Sequence, residues 1–307
     1  MTVSAGIGIA NFTFEDPDGF WQWVKQCDEG GINSIWQSDR LISSEPYLEC
    51  LSVMAALAGA TKRIKFGMNV ASLGWRDPVL TAKACATIDF LSNGRLLPAF
   101  GVGSALSRDF GATGRPTKGR GQRTDEALEI MSSLWRDGAC TFAGKYYQID
   151  AATISPTPVQ KTLPLWLGGS AAKAIERTAR WGTSWQAGIE SPAEVAPVIA
   201  AIKARSQELG RSIDDDHYGA GFAFRFGEAT HPTVKGYRDL LQNRLGKTPD
   251  DYMATGDADD IMTLLQKFHA AGADKFILRP MASGTKDMQQ QTDMMIERLL
   301  PLIAALN

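Results

Sequence analysis

Apolar runs of strand length alternate with amphipathic runs of helix length about eight times along this chain, which constrains its fold more than any other feature. Strands are expected at residues 3–10, 34–37, 64–70, 96–102, 165–167, 183–186, 218–226 and 275–278. Helices are expected at 17–29, 46–60, 78–91, 120–136, 171–180, 192–209 and 257–271, with one more closing the chain. Asp77-Pro78 opens the third helix as an N-cap followed by proline at the first helical position, and Asn93-Gly94 ends it. Strict β–α order with apolar strands implies a parallel sheet covered by helices. Ile9-Ala10-Asn11-Phe12 carries no dinucleotide fingerprint, so eight units favour a closed (β/α)8 TIM barrel over an open doubly wound sheet. Residues 103–118, 138–163 and 227–250 break the rhythm and read as insertions, with a hairpin around Gly144. The whole of 1–307 reads as a single domain.

The 32 basic and 34 acidic residues leave a net charge of −2, so no general field draws the chain to nucleic acid or an anionic membrane. An anionic ligand has to be held by a local site. No apolar run of membrane-spanning length is free of charge, and the first ten residues read as a strand rather than a secretion signal, which makes the cytoplasm the expected location. Cys27, Cys50, Cys85 and Cys140 lack C-x-x-C spacing, and three of them sit in apolar helical patterns as small hydrophobes. His217, His231 and His269 show no metal-ligand spacing, so no metal site is expected. No G-x-S-x-G elbow supplies a hydrolytic nucleophile. His231 lies in the 227–250 segment, which is placed to form a lid over the mouth.

Barrel chemistry sits where strands end and helices begin. The second strand runs into Ser38-Asp39-Arg40, which suits anion binding, ring orientation or proton transfer as well as it suits a surface ion pair. The third ends in Asn69-Val70-Ala71-Ser72, small enough for a flat ligand or for a crowded rim. The fourth gives Gly101-Val102-Gly103-Ser104, where two glycines allow close approach of a ligand or of a neighbouring strand. The fifth gives Gly168-Gly169-Ser170 before a helix; its exposed amides suit an anion, although Ser170 would also serve as a plain N-cap. These features suit a cofactor that brings its own chemistry to a protein supplying position and electrostatics.

Three stretches resemble the bacterial luciferase-like family of flavin- and deazaflavin-dependent oxidoreductases. They are Asp77-Pro78 through Leu91-Ser92-Asn93-Gly94-Arg95-Leu96 into Phe100-Gly101-Val102-Gly103, Arg120-x-x-Arg123-x-Asp125-Glu126 before Leu134-Trp135, and Pro164-Leu165-Trp166-Leu167-Gly168-Gly169-Ser170. The resemblance implies a cofactor ring near Asp39 and against Ala71-Ser72, where the family often has a non-prolyl cis peptide. It places Gly101, Gly103 and Ser104 beside the cofactor and its phosphate on Gly168, Gly169 and Ser170. It also implies a homodimer formed through helices near the second and third strands. Many relatives carry histidine where this chain has Arg40, and arginine cannot donate a proton near neutral pH. Asp39 and Arg40 are therefore the catalytic candidates, Arg40 as a stabiliser of negative charge, with the acid–base group unassigned. The missing histidine favours a reduced-FMN monooxygenase that is fed by a partner flavin reductase and oxidises a small organic substrate with oxygen. Hydride transfer with the deazaflavin coenzyme F-420 is the alternative, and a non-catalytic flavin-binding accessory protein is the third reading. Arg108, Arg115, Trp75 and Arg76 suit an anionic or aromatic substrate.

Overall fold

The structure, a computed structural model, describes residues 2–9 and 12–307; Ala10, at the end of the first expected strand, lies outside the described residues. The strands are β1 (Ser4–Ile9), β2 (Ser34–Gln37), β3 (Lys65–Met68), β4 (Ala71–Ser72), β5 (Leu96–Leu97), β6 (Ala99–Gly101), β7 (Ala139–Ala143), β8 (Gln148–Thr153), β9 (Trp166–Gly168), β10 (Ser184–Gln186), β11 (Tyr218–Ala220), β12 (Ala223–Phe226), β13 (Met253–Gly256) and β14 (Lys275–Pro280). The helices are α1 (Pro17–Glu29), α2 (Cys50–Ala60), α3 (Pro78–Ser92), α4 (Asp109–Ala112), α5 (Arg120–Asp137), α6 (Ala172–Trp181), α7 (Pro192–Glu208), α8 (Pro232–Asp239), α9 (Ala258–Ala270), α10 (Gly284–Met294) and α11 (Leu300–Ala304).

Pairing runs β4–β6–β9–β10–β11–β14–β1–β2–β3–β5, all of it parallel. β3 and β4 are successive parts of one strand divided at Asn69-Val70, and β5 and β6 are divided at Pro98. The path therefore returns to its start and the barrel closes, as the alternation predicts. The β7–β8 hairpin forms with Gly144 at its turn. The 227–250 segment becomes α8, a π-helical turn and a path into β13, an extra strand that pairs with β12 and that the sequence rhythm does not indicate.

Local chemistry sets the helix ends. Asp77 accepts the Leu80 N–H at 2.9 Å, and Asn93 closes α3 in the left-handed conformation at φ 55°. The second helix begins at Cys50 rather than at residue 46, because the Glu49 carboxylate takes the Ser52 N–H at 2.8 Å and acts as its cap. Strand alternation divides the core into two parts. Phe66, Phe100, Trp185 and Phe276 pack in the main core with residues of the surrounding helices. Trp36, Trp166, Ala99 and Ile277 form a smaller cluster of their own, the two indoles meeting edge to face at 5.8 Å. Among the described residues no helix is long and apolar enough to cross a membrane. All four cysteines are buried and free.

Candidate active site

The end of β2 is a closed polar network. The Asp39 side chain is 3% exposed. It accepts Arg76 Nη1 at 2.6 Å and Nη2 at 2.9 Å, and the Ser72 backbone N–H at 2.7 Å. The same guanidinium donates to Glu49 Oε1 at 3.2 Å and to the Ser72 carbonyl at 3.2 Å, and lies 3.9 Å from the centre of the Trp75 ring. Cys50 Sγ is 3.4 Å from both Asp39 Oδ1 and Arg76 Nη2. Burial opposes the Arg76 charge, but the Asp39 hydrogen bonds and the charges of Asp39 and Glu49 outweigh it and raise its pKa. Burial first, then the Asp39 charge, pushes the Cys50 thiol well up, which keeps it neutral and unreactive. Asp39, Glu49 and Cys50 lie close enough together to suggest a metal cluster, yet the cation among them is Arg76. Both Asp39 oxygens are thus engaged by the protein.

Arg40 points the other way. It is exposed, stacks 4.8 Å over the Tyr47 ring and makes no ion pair among the described residues. Asp39, Arg40, Ser72 and Ser104 line one cleft of about 480 Å³ with Ile42, Arg108 and Asp109. The strand ends meet around Val70. A methyl at Gly101 would come 2.9 Å from Val70 Cγ2, and one at Gly168 would come 3.3 Å from Val70 Cγ1. The non-prolyl cis peptide expected at Ala71–Ser72 lies instead between Asn69 and Val70, two bonds earlier. Ala71 is buried and pairs with Phe100, which leaves Ser72 as the half-exposed member of that pair.

The end of β9 is open. The N-cap of α6 is Ala171, not Ser170, and no side chain among the described residues caps the helix. No acidic residue lies in the first turn, and Ser170, Ala171, Ala172 and Lys173 are all exposed. Uncapped amides and the positive end of the helix dipole therefore face solvent, with a lysine beside them. Trp185 Nε1 holds the Gly169 carbonyl at 2.9 Å, so the loop is braced from beneath. Gly169 takes φ +110°, and a Cβ there would lie 3.0 Å from Ala174 Cβ.

Sequence reasoning missed two participants and misplaced a third. Glu49 belongs to no strand-end motif, Lys173 was passed over although its place in the first helical turn was visible, and Arg76, expected to suit the substrate, is buried against Asp39 instead. Arg279 at the end of β14 is a fourth candidate. It packs against Gly8, makes one 3.4 Å hydrogen bond to the Gly221 carbonyl, and lacks an ion pair among the described residues. It lines a cleft of about 310 Å³ beneath α8 with Thr233, Tyr237 and Met281. An inward position on the last strand was its sequence signal. His231 caps α8, its Nδ1 lying 2.8 Å from Thr233 Oγ1, while His217 and His269 sit beside Asp216 and Asp274.

A closed barrel whose strand ends offer glycine-lined backbone and a helix start open to solvent presents an anion-binding mouth. Residues 2–278 match the luciferase-like monooxygenase family, and the chain belongs to it. An uncharacterized protein of Mycobacterium tuberculosis is 33% identical over 172 residues, a match covering 56% of this chain and 58% of that relative, so the chain spans under two thirds of its length. The F-420-dependent glucose-6-phosphate dehydrogenase of Amycolatopsis mediterranei is 24% identical over 94% of this chain and 96% of its own. Among solved structures, an F-420-dependent secondary alcohol dehydrogenase superposes with a TM-score of 0.84 at 19% identity, over 99% of both chains. The monooxygenase RslO1 of Streptomyces bottropensis gives 0.83 at 16% identity, over 97% of this chain and 99% of its own. These structural likenesses establish the fold.

Proposed function

We propose that this protein binds coenzyme F-420 and passes hydride between it and a small organic substrate. The observation that carries the reading is the start of α6, with Lys173 in its first turn, together with Arg40 and Arg108 at the neighbouring cleft, neither of which makes an ion pair among the described residues. A phosphodiester with an anionic tail suits that spread of positive charge better than a single terminal phosphate does. The F-420-dependent relative that matches along 94% of this chain supports the same choice.

In this reading the amides around Gly168, Gly169 and Ser170 hold the phosphate, assisted by Lys173. Val70, Ala71, Ser72, Gly101, Gly103 and Ser104 form the wall against which the ring rests. Asp39 is a positioning residue: through Arg76 and the Ser72 N–H it fixes the third strand end, and it exchanges no proton. Arg40 stabilises negative charge at the ring edge, and Arg279 meets an anionic group of the substrate. The bound coenzyme supplies the hydride-carrying carbon.

A second reading, a reduced-FMN monooxygenase served by a reductase, rests on arginine rather than histidine at position 40. Binding titrations with purified protein separate the two. Micromolar or tighter uptake of F-420 with none of reduced FMN is the expected outcome, and the reverse would replace this proposal with the second reading. Turnover with any substrate removes the accessory-protein reading. We also propose a homodimer formed through α2 and α3, since Leu80, Phe90 and Leu91 on α3 are 72%, 55% and 60% exposed. Light scattering should return twice the chain mass of 33.3 kDa, and a monomer at working concentration would contradict it.

A further inference from the structure

The barrel has a second end. At its N-terminal face Ser4, Ser34, Lys65, Ser184 and Lys275 surround a cavity of about 330 Å³. The Trp36 and Trp166 pair and Ile277 also line it, and with Ala99 they form an apolar plug between this cavity and the mouth. Three lining side chains carry a buried polar atom with no hydrogen-bond partner among the described residues: Trp166 Nε1, Ser184 Oγ and Gln186 Oε1. Their residues are only 4%, 0% and 1% exposed. Buried polar groups in folded proteins are nearly always paired, so three orphans lining one cavity point to an occupant.

The donor set says what kind. The indole N–H can only donate, and the Ser184 hydroxyl does either. The Gln186 amide nitrogen already donates to the Ala187 carbonyl at 3.2 Å, while its oxygen is the unpartnered atom and can only accept. Lys65 makes no ion pair among the described residues, whereas Lys275 already holds the Thr2 carbonyl at 2.7 Å and Asp216 at 3.4 Å. Donors and an unpaired ammonium ask for an anion, and one neutral acceptor asks for a single hydrogen-bond donor. A hydroxyl meets that second need better than an ammonium, whose buried charge Gln186 could not offset.

We propose that this cavity binds a small hydroxycarboxylate. Its carboxylate lies against Lys65, Ser184 and the Trp166 indole, and its hydroxyl donates to Gln186 Oε1. The site is separate from the mouth, and the proposal stands or falls independently of the cofactor.

The test follows the Trp166 indole N–H resonance of the full chain, assigned among eight tryptophans with Trp166→Phe, while malate is added. The expected result is a saturating shift with an affinity in roughly the millimolar range, weakened about tenfold by Lys65→Met and severalfold by Ser184→Ala. Succinate, which lacks the hydroxyl, should bind severalfold more weakly than malate. Sequential assignment identifies the resonance if Trp166→Phe does not fold. A cavity that holds water alone would give no saturating shift with either acid and would overturn the proposal. So would malate affinity unchanged in both Lys65→Met and Ser184→Ala.

Discussion

Two corners of the barrel mouth use their polar groups in opposite ways. At the end of β2 the protein answers its own charges: Asp39 is enclosed by Arg76 and the Ser72 N–H, and Glu49 and Cys50 complete the cluster. At the end of β9 Trp185 braces the Gly169 carbonyl from below, while the first amides of α6 have no side chain to receive them. On the proposed reading the first corner is scaffold and the second is a socket. A charge at a strand end is therefore poor evidence for catalysis until its partners are known, whereas an uncapped helix start says more.

The contrast can be broken most forcefully at Arg76. Arg76→Leu leaves the Asp39 carboxylate buried without its partner, and should cost about 3–5 kcal/mol of unfolding free energy in a denaturant titration. A loss below about 1 kcal/mol would mean that the corner is not scaffold. At the open corner the effect moves from stability to binding. Lys173→Ala should weaken F-420 binding by roughly twofold to fivefold, the size of a dipole-adjacent surface charge, and leave the unfolding midpoint in place.

The smallest effect belongs to a third region, where the segment leading into β13 is tied to α7. Glu194 accepts Lys247 Nζ at 2.7 Å, the Ser191 N–H at 2.7 Å and the Tyr252 hydroxyl at 2.7 Å. The Lys247 and Ser191 hydrogen bonds lower its pKa from 4.5 to about 2. A depressed carboxylate pKa stabilises the fold above the unfolded value, so the contribution is whole above pH 4.5 and fades as pH falls towards about 2. The side chain is 45% exposed, and solvent screening holds the effect under about 1 kcal/mol. Glu194→Gln should remove that part of the acid dependence of unfolding, lowering neutral-pH stability by the same small amount and leaving stability near pH 2 as it was.

Much of this architecture was legible beforehand because it is local. Asp77-Pro78 and Asn93 mark a helix through capping chemistry, and the hairpin around Gly144 follows from its turn residue and flanking aromatics. The Arg76 cluster was not legible, because it joins side chains 26 to 37 positions apart that no motif links. The strand-end aspartate drew attention, while Arg76 was read as a substrate contact rather than as its partner. The start of α2 was misplaced because glutamate is an uncommon cap, and β13 escaped because its pairing with β12 is long-range. The proposed phosphate corner was picked out through its glycines, but the cap proved to be Ala171 rather than Ser170.

Ala171→Asp offers the most direct test of the open corner. An aspartate at that cap position takes the free amides itself and sets a negative charge where the coenzyme phosphate would lie. The variant should unfold about 0.5–2 kcal/mol later than the natural chain while losing measurable F-420 binding. Undiminished coenzyme affinity in a folded Ala171→Asp protein would contradict the account.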